Sequence, residues 1–364
     1  MHVTLTVDAL GPKMSGIGRY TWEMCRHLRG QAGIEGLSYF RSGRWFPDPS
    51  VLLDPEHKAK KTSAPQMLVN WANKRRLANS LVHGTNFFLP PEAESGIVTV
   101  HDLSVFRYPD FHPEARRKHF ERSFVHTLAR ARHIITLTET VRQEIISDLN
   151  VAPSQVTAIH LGVDEKFRSM PADTLAEVLG RYGLQANSYG LCVSAIEPRK
   201  RIGQLIDAWA RLPAALRKAT PLVLTSADGW LNDLFRMKME RAISEGWLIF
   251  LDFVPEGDLP AIYAGAKLFI YPSLYEGFGL PPIEAMACGV PVLVANCSCF
   301  PEVCGDAARY VEPDDLEGFA LSIEEALMDH EWQKLCAAIG PLHASKYQWA
   351  SCAAETLNVY KSLF

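Results

Sequence analysis

Short runs of aliphatic and β-branched residues recur along this chain, each followed by a turn and then by residues at helical spacing, and the series restarts half-way. A parallel neighbour can be reached only through a crossover, so this alternation points to parallel sheets covered by helices. In the first half, residues 2–8, 96–100, 133–136 and 156–160 read as strands. Helices are expected over 20–29 and 114–131, where Phe120, Phe124, Val125 and Leu128 recur at helical spacing. A polar stretch over 164–173 interrupts the pattern. Strands are then expected at 189–195, 221–225, 247–253, 268–271 and 290–294, and helices at 202–212, 259–265 and 281–288. The reading is two successive doubly wound α/β units, over 1–170 and 171–346, and an amphipathic helix in 347–364. Ligands of such units bind outside the carboxyl ends of the strands.

With 364 residues, 48% of them hydrophobic and 21% charged, the chain suits two folded domains and is not disordered. It has no run of eighteen apolar residues, and its first residues alternate like a strand and lack a basic leader, so a cytoplasmic protein is expected. Five of the eight cysteines are scattered. Cys297, Cys299 and Cys304 share one loop, but no CxxC pair or nearby histidine completes a zinc set, so reduced thiols and no metal are expected. Residues 1–150 hold 20 Lys and Arg against 15 Asp and Glu, a balance of +5, which leaves −9 for the rest. The cations bunch at Lys58, Lys60 and Lys61, at Lys74, Arg75 and Arg76 beside Trp71, and at Arg116, Arg117, Lys118 and Arg122. Either they are solvated helix faces or they meet an anionic partner such as a bilayer surface; no nucleic-acid partner is expected.

Four motifs carry chemistry. In 275–284, YEGFGLPPIE, a strand passes through two glycines into a helix that opens on prolines. Backbone N–H groups at such a junction favour an anion, and seven residues separate Glu276 from Glu284, two acceptors suited to sugar and ribose hydroxyls. In 194–200, SAIEPRK, Arg199 and Lys200 stand where a strand gives way to a helix and suit a diphosphate leaving group. In 15–20, SGIGRY, Gly16 and Gly18 admit backbone close to a diphosphate, but Thr21 replaces the third glycine of a dinucleotide fingerprint, so a nicotinamide site is rejected. His101 and Asp102 end the 96–100 strand, His101 as a hydrogen-bonding partner for a sugar and Asp102 to orient it or reach an acceptor.

Together these residues resemble the retaining glycosyltransferases of family 4, from the 15–20 loop through His101-Asp102 to EGFGLPPIEAMACGVPV (276–292), Pro301-Glu302-Val303 and Gly305-Asp306-Ala307-Ala308. The resemblance implies a GT-B architecture, two Rossmann-like domains facing a cleft, with the C-terminal helix crossing back to the first. It implies that Glu276 meets the donor sugar, Glu284 the ribose, and the backbone of Phe278, Gly279 and Leu280 the sugar and diphosphate. Arg199 and Lys200 would hold the phosphates, Gly16 and Gly18 would approach from the other domain, and His101 would sit near the transferred sugar. The family's common glycine-arginine is missing before Pro198, so Arg201 is a further candidate cation. Residues 99–109, TVHDLSVFRYP, with the tail from Pro301, are similar to bacterial mannosyltransferases of polysaccharide assembly. That implies a nucleotide-sugar donor, GDP-mannose or a GDP-deoxyhexose such as GDP-rhamnose, with a UDP-sugar as the alternative. The acceptor would be a glycan, lipid-linked or not, and no cofactor or metal would be needed. A nucleotide-sugar 2-epimerase of the same architecture and a non-catalytic nucleotide-sugar binding module are the competing classes.

Overall fold

The computed structural model describes residues 1–57, 65–226 and 233–363. Lys58, Lys60 and Lys61 lie outside the described residues. The chain forms two compact units, Met1–Gly162 with Trp349–Phe364, and Val163–Gln348. The first division thus falls at Gly162, ahead of the polar stretch and not within it at residue 170.

The first unit is built on a seven-stranded sheet: β1 (His2–Thr6), β2 (Gly36–Arg41), β3 (Arg44–Phe46), β4 (Leu81–Gly84), β5 (Gly96–Val100), β6 (Ala131–Thr136) and β7 (Val156–Ala158), ordered β3-β2-β1-β4-β5-β6-β7. All neighbours are parallel except β2 and β3. This departure from an all-parallel sheet is a two-residue hairpin. Ser42 and Gly43 have φ of 47° and 81°, as the turn matching the twist of a hairpin requires, and Asn73 donates to the Gly43 carbonyl at 2.8 Å. Strands β4 and β5 are buried throughout, as strands covered on both faces must be.

The helix after β1 runs Gly16–His27 and so starts four residues before the sequence suggests. Ser15 caps it, its Oγ accepting from the Gly18 N–H at 3.3 Å. The helix expected at 114–131 ends at Leu128, because β6 takes up the next residues. Its Phe124 is buried in the cluster of Val98, Val100, Ile134 and Val141, whereas Val125, expected on the same face, is exposed. The Trp349–Ser362 helix packs within this unit against Gly16–His27.

The second unit has six parallel strands, β8 (Gly190–Val193), β9 (Leu222–Thr225), β10 (Leu248–Leu251), β11 (Leu268–Tyr271), β12 (Val292–Ala295) and β13 (Arg309–Val311), ordered β10-β9-β8-β11-β12-β13. The chain lays strands outward from β8 on one side, then returns to place β11 on the other. That reversal leaves a crevice at the carboxyl ends of β8 and β11, where crossover loops diverge. The first sheet reverses in the same way between β1 and β4.

Candidate active site

The loops leaving β8 and β11 bring together residues 71 to 77 positions apart in sequence. After β8, Pro198–Lys200 makes a single 3-10 turn, and Arg201 adopts φ 54° to open the Ile202–Arg211 helix. After β11 the chain turns through Ser273 to Glu276. The Leu274 N–H donates to the Arg199 carbonyl at 2.8 Å, which locks the two loops together.

Glu276 is the centre of the site. It is 8% exposed, as is Lys200. Its Oε1 accepts from the Lys200 ammonium, from Ser273 Oγ at 2.7 Å and from Tyr271 OH at 3.1 Å, while Oε2 lies 3.1 Å from an Arg199 guanidinium nitrogen. Burial alone would push the Glu276 carboxyl up. Lys200 first and Arg199 second outweigh it, and the carboxyl is held at about 2. Burial pushes the Lys200 ammonium below its ordinary value, with Glu276 opposing. Lys200 also donates to Tyr271 OH at 2.9 Å. Arg199 reaches Glu197 at 3.1 Å and the Tyr275 carbonyl at 2.8 Å. Neither cation is a solvated loop charge. Two cations and two carboxylates make the group neutral overall, so hydroxyl recognition and anion attraction are balanced in one place.

The Leu280–Ala287 helix starts on Gly279, whose φ of 85° only glycine adopts freely and whose added Cβ would fall 2.9 Å from the Phe300 ring. Pro281 and Pro282 have no N–H, so Gly279 and Leu280 carry the donor groups this helix start can offer an anion. Phe278 is buried with its ring edge-on to Tyr347, centroids 5.4 Å apart. Glu284 stands in the second turn of the helix, not the first, and is half-buried. Burial first, then the Glu284 carboxylate, hold the Tyr263 phenol well above its ordinary value. The structure thus groups Glu276 with Lys200 and Arg199, and Glu284 with Tyr263. Arg201 is committed elsewhere: its guanidinium donates to the Pro313 carbonyl and to Asp314 at 2.6 Å.

In the first unit, Gly16 is exposed at the helix start. Gly18 has a packing role, since a Cβ there would lie 2.9 Å from the Ala9 carbonyl and its N–H serves the Ser15 cap. His101 is buried beyond β5, its Nε2–H donating to the Thr85 carbonyl at 2.8 Å. Burial lowers its imidazole to about 4, so it is neutral at ordinary pH. It is Thr85, then, that orients His101. Asp102 Oδ1 instead accepts from the Ser104 N–H at 2.8 Å in the turn that leads into the next short helix.

Two matches with known families divide the chain between them. Residues 14–167 match the model described as "Glycosyltransferase Family 4", and residues 186–341 match "Glycosyl transferases group 1". Over its whole length, and the whole length of the relative, the chain is 34% identical to "O-antigen chain mannosyltransferase B" of Escherichia coli. The chain belongs to glycosyltransferase family 4. It is also 34% identical to "Serotype-specific mannosyltransferase WbdA" of the same organism, with all of this chain matching 48% of that one. Among solved structures, Anabaena Alr3699/HepE in complex with UDP-glucose superposes with a TM-score of 0.75 at 18% identity, covering 99% of this chain and 100% of that one. WaaG, a glycosyltransferase involved in lipopolysaccharide biosynthesis, gives 0.73 at 15%, covering 99% of each chain. The architecture of this family 4 chain is GT-B, two Rossmann-like units.

Three contributors to the family 4 site escape sequence reasoning. Tyr271 and Ser273 bond Glu276 from the end of β11. Ser298, with φ 55°, accepts from the Glu276 N–H at 3.1 Å and donates to the Glu276 carbonyl at 2.7 Å. Next to it, the Cys297 thiol, pushed up by burial to about 11, donates to the Leu274 carbonyl at 3.1 Å. The signal available in sequence was position: residues at the ends of adjacent parallel strands meet, and Cys297-Ser298 follows β12 as Ser273–Glu276 follows β11. All eight cysteines are free thiols.

Proposed function

We propose that this family 4 enzyme transfers mannose, with retention of configuration, from GDP-mannose to a growing O-antigen-type glycan. The observation that carries the reading is the buried Arg199–Lys200–Glu276 group at the reversal point of the second sheet, in a chain 34% identical along its length to an O-antigen chain mannosyltransferase. Glu276, kept ionised by its two cations, accepts hydroxyls of the donor sugar, and Glu284 serves the ribose. Arg199, Lys200 and the N–H groups of Gly279 and Leu280 take up charge as the bond from the sugar carbon to the diphosphate oxygen breaks. The acceptor hydroxyl attacks from the same face, a carbon–oxygen bond forms, and the hydroxyl proton passes to the departing phosphate oxygen. Gly16 backbone serves the diphosphate and His101 the transferred sugar. With the leaving group neutralised by fixed cations, the reaction proceeds without a metal ion. The acceptor is lipid-linked on an anionic bilayer, which the enzyme meets through the Gln66–Leu77 helix.

The test is transfer from GDP-mannose to a lipid-linked acceptor, with the product read by mass and EDTA present throughout. Glu276→Gln and Lys200→Ala should each lower kcat at least about a hundredfold, the scale of losing a charge-stabilising group. Near-normal turnover in either folded variant overturns the assignments. Turnover with a UDP-sugar alone would move the donor, epimerised donor without transfer would move the reaction class, and loss of activity in EDTA would restore a metal.

A further inference from the structure

Among the described residues, the His101 ring is held by one hydrogen bond, from Nε2–H to the Thr85 carbonyl. One bond fixes a point on the ring and leaves its plane free to swing. Two aromatic walls set that plane: Tyr20 at a centroid distance of 5.2 Å and 82°, and Phe87 at 5.4 Å and 62°. The Tyr20 ring is in turn held by its hydroxyl, 2.8 Å from Thr99 Oγ1. Thr99 Oγ1 also lies 2.8 Å from His83 Nε2, and His83 Nδ1 lies 2.6 Å from the hydroxyl of Tyr360 in the Trp349–Ser362 helix. Tyr20, Thr99, His83 and Tyr360 are all buried. Burial first, and His101 second, lower the His83 imidazole to about 3. A neutral imidazole gives a hydrogen at one nitrogen and takes one at the other, so His83 links the Tyr360 and Thr99 hydroxyls as donor to one and acceptor from the other.

We propose that Tyr360 and His83 are positioning residues that set the ring plane of His101 through Thr99 and Tyr20. The chain of contacts runs from the last helix of the sequence to a residue beyond the fifth strand, and its four members are shielded from solvent. The proposal rests on the reading that His101 serves the transferred sugar. It adds that the identity of residue 360, a phenol rather than a phenyl ring, matters to turnover as well as to packing.

The experiment is a double-mutant cycle in the full-length enzyme, run where circular dichroism shows every variant folded. Tyr360→Phe, and Thr99→Val as the variant that keeps side-chain shape, should each lower kcat about tenfold while the donor KM moves less than about twofold, a loss of orientation and not of binding. On a His101→Ala background, Tyr360→Phe should make no further difference. In protein labelled with 15N-histidine, Tyr360→Phe should shift the ring-nitrogen signals of His101 as well as those of His83. Unchanged kcat, unchanged His101 signals, or a Tyr360→Phe effect that persists undiminished without His101 overturns the proposal alone. Normal turnover of His101→Ala by itself overturns the reading of His101, and the proposal with it.

Discussion

At the scale of single residues, the site depends on backbone conformations that side chains do not ordinarily adopt. Gly279 combines φ 85° with a Phe300 ring 2.9 Å from where a Cβ would stand. Gly279→Ala should therefore destabilise the second unit by about 2 kcal/mol, by strain plus crowding, and lower kcat as Phe278 and Leu280 shift. Urea unfolding with a parallel transfer assay checks both, and a variant matching the parent in each would show that the turn relaxes freely. Glu276, Arg199 and Lys200 could be singled out in the sequence because each stands where a strand gives way to a helix, and the structure brings these three together. Ser298 could not, since a serine on the next loop has no local mark of bonding both the N–H and the carbonyl of Glu276. The contacts of Gly18 and Arg201 have no local mark either. A glycine wanted for packing against Ala9 and an arginine turned toward Pro313 and Asp314 look in sequence like ligand-binding residues.

At the scale of elements, nine of the thirteen strands among the described residues show in the sequence as compact apolar runs. The missing four are informative. β3 and β13 have three residues each, too few for any period, and β2 is only half-buried over most of its length. β4, Leu-Val-His-Gly, is buried throughout, but its histidine reads as polar, and of the two hydroxyls that satisfy it, that of Tyr360 is 277 residues away. The Gln66–Leu77 helix shows how a charge count becomes a surface. Of its three cations, Lys74 pairs with Glu94 at 3.2 Å, Arg76 stacks on Trp45 at 3.8 Å and Arg75 leans over Trp71 at 5.7 Å. Met67, Leu68 and Trp71 are exposed beside them, an apolar stripe next to a basic one. The Glu114–Leu128 helix differs, because Arg117 and Lys118 there pair with Glu121 and Glu114. If the acceptor is reached on a bilayer, flotation with anionic liposomes at low salt should carry the protein, and Trp71→Ala with Arg75→Ala should reduce the floated fraction several-fold. No flotation by the parent would remove the membrane from the reading.

At the scale of the whole molecule, the two units respond differently to acid. His83 and His101 are held at about 3 and about 4 in the folded first unit, against an ordinary 6.5. Below pH 6.5 the unfolded chain takes up protons that the fold excludes, so their stabilising contribution is complete above 6.5 and is lost as pH falls toward 4 and then 3. Glu276, held at about 2 against 4.5, begins its loss only below 4.5. Hydrogen exchange between pH 7 and 4.5 should therefore show protection weakening in β4 and β5 before it weakens in β8 and β11; the reverse order would contradict these assignments. The doubly wound plan of both units was legible because it follows from the alternation of strand and helix, which is local.

The segment Trp349–Phe364, which belongs to the first unit although the whole second unit precedes it, has a consequence for synthesis. As the chain leaves the ribosome, the unit that starts first is the last to close. Until residue 360 has emerged, the first sheet waits with the His83 Nδ1 unsatisfied, while the uninterrupted stretch Val163–Gln348 already has every strand it needs. The second unit therefore matures as an insert within an unfinished neighbour, and a chain cut short before Trp349 has its earliest-made unit as the one exposed to proteases.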